Sequence, residues 1–277
     1  MIHQTKNLLR KVYHLPENLK RRRLNQISEV HESPVFVLGN QKSGTSAIGA
    51  LLADMAGLPV AIDLPGICEP VQLELHSRDL SFSEFVESNK YDFSKAVIKE
   101  PSLTFLYEDL VSYFPKASFV FIVRDPRDNI RSILNRVGMP GNLREIDKEQ
   151  QKKLDRAPKD WERVIDSRWL GVQGDSYIEW MSERWNLAVD IYEKHADNMI
   201  LIRYEDFVKD KVGSIEKLAD RLGLPKVNDI GGKVDIQYQP AGNKNVKKKE
   251  FFGERNLESI ERLCGERMKA YGYEKSI

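Results

Sequence analysis

The sequence predicts an α/β protein in which helices flank a central parallel sheet to give three layers. Two apolar runs, residues 34–39 and 117–123, carry this prediction, because each is followed by a turn and then by an amphipathic segment. Strands separated by helical crossovers form parallel sheets, which bind ligands at the carboxyl ends of their strands. With 277 residues and 41% hydrophobic content, the chain can bury one sizeable core, so we expect a single domain over residues 1–277.

The same alternation of segments predicts the remaining elements in chain order. Shorter apolar runs indicate two further strands, at 95–99 and 198–203. Amphipathic segments predict helices at 44–57, 102–113, 126–136, 176–196, 204–222 and from about 256 to 271.

The first strand leads into a glycine-containing turn that is close to a nucleotide triphosphate loop. Aligned with G-x-x-x-x-G-K-[ST], the turn supplies Gly39, Gly44 and Ser46, but Thr45 stands where the lysine belongs and the cation lies upstream at Lys42. In ATP and GTP sites that lysine reaches the β and γ phosphates while Ser or Thr holds Mg²⁺. The displaced cation therefore favours a ligand with less charge, and an ordinary strand-turn-helix corner is the alternative.

A phosphosulfate is a ligand of this kind. Its sulfuryl group carries one negative charge, so Lys42 and the backbone amides of residues 43–46 can bind it without a metal ion. This arrangement resembles the anion sites that proteins build at helix N-termini. We therefore expect a phosphosulfate site here and no metal site.

A second candidate anion site follows the apolar run 117–123. Arg124 comes directly after this predicted strand, and Ser132 lies eight positions further on, in the second turn of the predicted helix. The planar fork of an arginine suits a phosphate monoester. The alternative is a solvated helix start in which Asp128 pairs with Arg131 or Arg124.

Together these motifs resemble the sulfotransferase family. Residues 41–46, Gln-Lys-Ser-Gly-Thr-Ser, resemble the loop that binds the 5′-phosphosulfate, and Arg124 with Ser132 is similar to the pair that binds the 3′-phosphate. Lys99-Glu100-Pro101 and residues 202–207 also resemble family segments. The resemblance spans roughly residues 34–207 and the last helix. It implies a P-loop-like sulfotransferase fold with 3′-phosphoadenosine 5′-phosphosulfate (PAPS) as donor. Gln41, Lys42, Ser43, Gly44, Thr45 and Ser46 would then contact that donor.

The resemblance also implies basic residues just before the last helix that close over the 3′-phosphate. Lys247 and Lys249 occupy comparable places, although this chain lacks the usual arginine and glycine pattern. Both lysines are candidate donor contacts, and the sequence leaves open which one binds phosphate. A solvated run of lysines is the alternative.

By analogy with phosphoryl transfer, sulfuryl transfer depends on positioning and on charge stabilisation. We expect Lys42 to stabilise the bridging oxygen of the donor and Lys99 to neutralise sulfuryl oxygens or hold the acceptor. The acceptor needs a general base. The small-molecule branch of the family uses a histidine where this chain has Pro101. The carbohydrate- and tyrosine-modifying branches use a glutamate, so the resemblance implies Glu69 as the base.

Other residues remain open for that role: Glu100, and with less support Glu74 and His76. The missing histidine favours a carbohydrate, glycolipid or peptide acceptor. Residues 137–175 are polar and rich in glycine, and they form a candidate acceptor-side insertion. The alternative is that residues 146–168 form helices on the protein surface. Competing functions are a P-loop nucleotide kinase and an inactive protein that binds adenosine bisphosphate.

Composition excludes several other classes of function. The net charge of +1 gives no global field for nucleic acid or an anionic membrane. Cys68 and Cys264 have neither disulfide-framework nor zinc-site spacing. Residues 1–30 form a basic N-terminal extension without a signal-peptide core or membrane span. We therefore expect a soluble cytoplasmic protein, and the sequence leaves its oligomeric state open.

Overall fold

The computed structural model describes residues 15–157, 159–236 and 246–274. In these residues a five-stranded, all-parallel sheet has the spatial order β2-β3-β1-β4-β5. The strands are β1 (Val35–Gly39), β2 (Val60–Ile62), β3 (Val97–Lys99), β4 (Ser118–Val123) and β5 (Met199–Arg203). Helices lie on both faces of the sheet, so the predicted α/β class with three layers is confirmed.

Among the described residues, helices lie between successive strands as crossovers, and further helices precede β1 and follow β5. The first seven are α1 (Leu15–Ile27), α2 (Thr45–Ala56), α3 (Val71–Ser77), α4 (Phe82–Ser88), α5 (Lys90–Phe93), α6 (Tyr107–Tyr113) and α7 (Pro126–Val137). The next seven are α8 (Lys148–Leu154), α9 (Lys159–Ile165), α10 (Tyr177–Lys194), α11 (Tyr204–Lys209), α12 (Lys211–Leu222), α13 (Lys248–Leu263) and α14 (Gly265–Ala270). Short 3₁₀ turns lie at Pro65–Ile67, Pro101–Leu106, Ser167–Leu170, Ala196–Asn198 and Gly231–Lys233.

Successive residues of β1 alternate between two buried cores, as the period of two in a strand requires. Val35 and Val37 face the core shared with α2 and α12, whereas Phe36 and Leu38 face the core shared with α7, α10 and α13. Because both faces of the sheet are covered by helices, the sequence of β1 is a continuous apolar run. This burial fixes the position of the loop that follows β1.

The strand register aligns the carboxyl ends of three strands. β1 lies between β3 and β4, with Val37 opposite Lys99 and Gly39 opposite Ile122. The segments that leave these strands therefore start at one edge of the sheet. Both predicted anion-binding corners, after β1 and after β4, begin at that edge.

Several parts of the chain differ from the sequence-based expectation. The helices α1, α3, α4 and α5 were not predicted, and Pro101–Leu106 form a 3₁₀ turn where the predicted helix 102–113 begins. β2 was not predicted, because its three residues lie between Pro59 and Asp63 and lead into no recognisable motif, whereas the equally short β3 leads into Lys99-Glu100-Pro101. The predicted helix at 204–222 is divided at Asp210, whose side chain accepts a hydrogen bond from the Gly213 amide at 2.9 Å and caps α12. The last helix begins earlier than predicted, is interrupted at Gly253, and is followed by α14.

The segment 137–175 contains α8, α9 and one 3₁₀ turn, as the helical alternative predicted. Leu154, Val164 and Ile165 are buried, so the segment packs against the domain. Of the basic N-terminal extension, residues 1–14 lie outside the described residues, and α1 contacts the domain through an ion pair between Arg21 and Asp92. Among the described helices, none is both long and apolar enough for a membrane span.

Candidate functional site

A cavity of about 800 Å³ opens at the carboxyl edge of the sheet. Eight of the predicted site residues line it: Gln41, Lys42, Gly44, Thr45, Ser46, Lys99, Arg124 and Ser132. They come from the loop after β1, the end of β3 and the corner between β4 and α7. The structure thus brings the two predicted anion sites onto one cavity.

The loop after β1 has a backbone shape that few sequences tolerate. Lys42 has a φ of 68° and Gly44 a φ of 95°, both in the left-handed region. A Cβ at Gly44 would overlap the ring of Tyr204, so glycine is required there by contact as well as by conformation. After this turn α2 begins at Thr45, and the first amides of the helix are available for an anion.

The ammonium group of Lys42 lies in a partly buried, cationic environment. Burial, followed by the charges of Arg136, Arg124 and Lys99, lowers the pKa of Lys42 to about 8. A bound anion would remove part of this repulsion, because it supplies the opposite charge beside the ammonium group. The site is therefore built to bind negative charge.

Arg124 is held by contacts with the loop after β1, with α11 and with α10. Its Nη1 donates to the backbone carbonyl of Lys42 at 2.6 Å, and its guanidinium carbon lies 4.4 Å from the centroid of the Tyr204 ring. The indole Nε1 of Trp185 donates to the carbonyl oxygen of Arg124 at 2.9 Å. Arg124 Nε is buried and has no hydrogen-bond partner among the described residues. These contacts direct the guanidinium toward the loop after β1.

A buried polar network lies behind the loop. Asn129 in α7 accepts a hydrogen bond through Oδ1 from Asn40 Nδ2 at 3.0 Å. The side-chain Nδ2 of Asn129 donates to the backbone carbonyl of Gln41 at 2.8 Å and to Ser43 Oγ at 3.0 Å. Ser43 is buried and does not line the cavity. Its hydroxyl oxygen therefore supports the loop from behind.

Arg184 in α10 completes this network. It is fully buried, and it donates from Nε to Asn40 Oδ1 at 3.0 Å and from Nη2 to Gln41 Oε1 at 2.7 Å. The guanidinium carbon lies 4.4 Å from the centroid of the Phe105 ring. Burial lowers the pKa of Arg184 to about 9, so the group remains cationic at neutral pH.

The two lysines proposed for the 3′-phosphate lie outside the residues that line the cavity. Lys249 is exposed and its Nζ lies 2.8 Å from Glu254 Oε1. Lys247 is also exposed and directly precedes α13. The neighbouring Lys248 bonds Asp125 Oδ2 at 2.9 Å, which attaches this segment to the start of α7.

Four residues with carboxylate side chains line the cavity: Asp63, Glu100, Asp160 and Asp235. Glu69 does not line it, and its Oε1 accepts a hydrogen bond from Arg163 at 2.8 Å. Asp63 follows β2 with a φ of 62°, an unusual conformation for a residue other than glycine. Its carboxylate pairs with Lys99 Nζ, and its side chain remains 57% exposed.

Glu100 has a structural role in the same corner. It is buried, and its two carboxylate oxygens accept hydrogen bonds from the backbone amides of Leu64 at 3.0 Å and Ser102 at 2.9 Å. Burial raises the pKa of Glu100 above its usual value, although Lys99 and the two amides act in the opposite direction. The carboxylate joins the segment after β2 to the end of β3.

Part of the cavity lining comes from segments that the motifs did not identify. Asp160, Trp161 and Val164 of α9 lie on it, together with Leu64 and Ile67 after β2. Trp161 also lies beneath Arg136, whose guanidinium carbon is 5.6 Å from the ring. The segment 137–175 therefore supplies one wall of the cavity.

Some of these residues gave no usable sequence signal. Asp63 follows β2, which was not predicted, and Arg184 lies within an ordinary amphipathic helix. Tyr204 lies in the segment 202–207, which resembled the family without suggesting a role for this residue, yet its ring lines the cavity and contacts Arg124. Within the described residues, no group of three or more His, Cys, Asp or Glu side chains is arranged to hold a metal ion.

Comparisons with known proteins agree with this architecture. A model of the sulfotransferase family matches residues 69–229, more than half of the chain. The solved structure of sulfotransferase STF9 from Mycobacterium avium is 12% identical, with a TM-score of 0.55 over 94% of this chain and 82% of that one. Mouse sulfotransferase SULT7A1, solved with PAP, is 18% identical, with a TM-score of 0.49 over 89% and 88% of the two chains. A search of curated proteins gave no significant match.

Proposed function

The chain belongs to the sulfotransferase family, and from that premise we propose that it transfers a sulfuryl group from PAPS to a hydroxyl or amine acceptor. The observation that carries the proposal is the shared cavity, onto which Lys42 and the first turn of α2 open together with Arg124 and Ser132. PAPS has two separated anionic ends, and this cavity offers cationic and hydrogen-bonding groups for each.

The 5′-phosphosulfate would lie against Lys42 and the amides at the start of α2. The 3′-phosphate would lie against Arg124 and Ser132, where an arginine fork can form charge-assisted bonds. Of the two lysines near α13, Lys247 is the better candidate for a further phosphate contact, because Lys249 already pairs with Glu254. Thr45 in place of the usual lysine supports a phosphosulfate over a nucleoside triphosphate.

In the reaction, the acceptor oxygen or nitrogen attacks sulfur as the bond from sulfur to the 5′-phosphate oxygen breaks. Adenosine 3′,5′-bisphosphate leaves with the negative charge on that oxygen, and Lys42 stabilises this charge. Lys99 is suited to neutralise sulfuryl oxygens, since it is buried at the end of β3 and lines the cavity. The acceptor proton passes to a carboxylate base.

Asp63 is better placed than Glu69 to be this base. Its carboxylate lines the cavity and pairs with Lys99, whereas the Glu69 carboxylate bonds Arg163 and lies off the cavity lining. Glu100 is less suitable, because both of its oxygens already accept backbone amide hydrogen bonds. The sequence-based assignment of Glu69 stays a prediction, which direct substitution can compare with Asp63.

The acceptor would bind against α9 and the segment after β2. Trp161, Val164, Leu64 and Ile67 offer an apolar wall, while Asp160 offers a hydrogen-bond acceptor. This combination suits an acceptor with hydroxyl groups and a flat apolar face, as in a carbohydrate, glycolipid or peptide. A cytoplasmic location and a single domain over the whole chain also stay predictions.

The test is transfer of radiolabelled sulfate from PAPS to a panel of neutral glycosides, glycolipids and tyrosine peptides, together with calorimetric titration of the bisphosphate. We expect labelled product and bisphosphate binding that is much tighter than binding of ATP with magnesium. Preference for ATP would favour a nucleotide kinase. Tight bisphosphate binding with no labelled product would favour an inactive binding protein.

A further inference from the structure

Arg184 is a buried cation without an assigned purpose in the transfer reaction. Its side chain is 0% exposed and its hydrogen bonds go to the amide oxygens of Asn40 and Gln41, which are uncharged. Glu100 is the carboxylate whose charge acts on it. A buried guanidinium bonded only to neutral groups is costly. Such a group calls for a functional explanation.

The contacts of Arg184 set the direction of a chain of hydrogen bonds. Because a guanidinium can only donate, Asn40 must present Oδ1 to it and direct Nδ2 toward Asn129. Asn129 then accepts through Oδ1 and must direct its own amide hydrogens toward the loop. The chain ends on the carbonyl of Gln41 and on Ser43 Oγ, both in the loop of residues 40–44.

A second branch fixes the side chain of Gln41. Its Oε1 accepts from Arg184 at 2.7 Å, so its Nε2 is turned toward Ser102 Oγ at 3.2 Å. Gln41 lines the cavity beside Lys42. The orientation of both amide side chains at the start of the loop therefore depends on one arginine in α10.

We propose that Arg184 is a positioning residue for the donor loop: through Asn40, Gln41 and Asn129 it holds residues 40–44 in the shape that receives the 5′-phosphosulfate. It also places a fixed positive charge behind a loop in which Thr45 replaces the lysine of nucleotide triphosphate sites. This inference rests on the proposed function, because it takes the loop to be the donor site.

The test measures bisphosphate affinity by calorimetry, with melting temperature without ligand as the readout of stability. Arg184→Met should weaken the bisphosphate about tenfold or more, since charge-assisted hydrogen bonds hold the loop. Arg184→Lys keeps the charge and should recover part of the loss. Arg267→Met is the matched control. Arg267 lies in α14 and bonds Asp190 of α10, the helix that carries Arg184, at 2.6 and 2.8 Å. It does not line the cavity. This substitution should lower the melting temperature without changing affinity.

A double-mutant cycle identifies the route of the effect. Asn129→Ala should also weaken the bisphosphate, and the combined Asn129→Ala and Arg184→Met variant should lose clearly less than the sum of the two. If Arg184→Met does not fold, the Arg184→Lys and Asn129→Ala pair serves in its place. Wild-type affinity in the Arg184 variants, or fully additive losses, would overturn the positioning role. A wild-type protein that does not bind the bisphosphate would instead overturn the donor assignment.

Discussion

Arg124 Nη1 donates to the backbone carbonyl of Lys42 at 2.6 Å, so the two corners of the sheet that carry the candidate anion sites are in direct contact. The corners belong to adjacent strands, β1 and β4, whose carboxyl ends are in register. A ligand with two negative groups can therefore reach both corners from one cavity. The arginine joins the two sites and lines the same cavity as Ser132.

Replacing Arg124 by alanine should weaken the bisphosphate by about 2 kcal/mol, because a charge-assisted bond to the 3′-phosphate is lost. Calorimetric titration measures the change. Lys116→Ala is a suitable control, since Lys116 pairs with Glu32 on the exposed surface. Equal affinity in Arg124→Ala and in wild type would remove Arg124 from the donor site.

Bisphosphate affinity should fall as pH rises above about 8. The pKa of Lys42 is lowered to about 8 in the unliganded protein, so the ammonium group loses its proton, and its attraction for the anion, above that pH. Bound anion favours the protonated form and raises this pKa, so binding takes up protons near pH 8. Titrations between pH 6.5 and 9.5 in two buffers of different ionisation enthalpy measure both effects.

Lys42→Arg is the matched variant for this titration, because arginine keeps its charge over the whole range. Its affinity should stay nearly constant up to about pH 8.5, above which Arg184, whose pKa burial lowers to about 9, also begins to lose its proton. The same decline in Lys42→Arg as in wild type would show that another group causes it.

Asp63→Asn should lower the rate of sulfuryl transfer by a factor of about 100 or more, the usual contribution of a general base, with bisphosphate affinity nearly unchanged. Glu69→Gln is the direct comparison and should retain most of the activity. Single-turnover rates with saturating PAPS separate the chemical step from binding. A normal rate in Asp63→Asn beside a large loss in Glu69→Gln would return the role to Glu69.

Trp161→Ala should raise the KM for the acceptor and leave bisphosphate affinity unchanged, because Trp161 lies on the wall of α9. Val164→Ala, a smaller truncation on the same wall, should have a weaker effect in the same direction. Steady-state kinetics with the best acceptor of the panel measure both. A change in bisphosphate affinity with an unaltered acceptor KM would place Trp161 on the donor side.

The parts of the fold that could be predicted are those with local periodicity. The apolar runs of β1 and β4 are buried on both faces, and the turns after them carry glycine, lysine and arginine at the strand ends, so the parallel sheet and its two corners follow from the sequence. β2 could not be found this way, and Asp63, which follows it, was missed with it. Short strands are specified by their neighbours in the sheet.

Arg184 illustrates a different limit. Its position in α10 is that of any core-facing residue, and its hydrogen-bond partners Asn40 and Gln41 are distant in sequence. Only the packing of α10 against the sheet edge brings these side chains together. Tyr204 was missed for a similar reason, because its contact with Arg124 depends on β4 and β5 being neighbours.

The central claim is that two anionic ends of one donor are held by the two corners at once. A crystal structure with adenosine 3′,5′-bisphosphate tests it most directly. We predict the 5′-phosphate against Lys42 and the amides of residues 44–46, and the 3′-phosphate within hydrogen-bond distance of Arg124 and Ser132. A bisphosphate that occupies one corner only, or that binds elsewhere on the protein, would contradict the account.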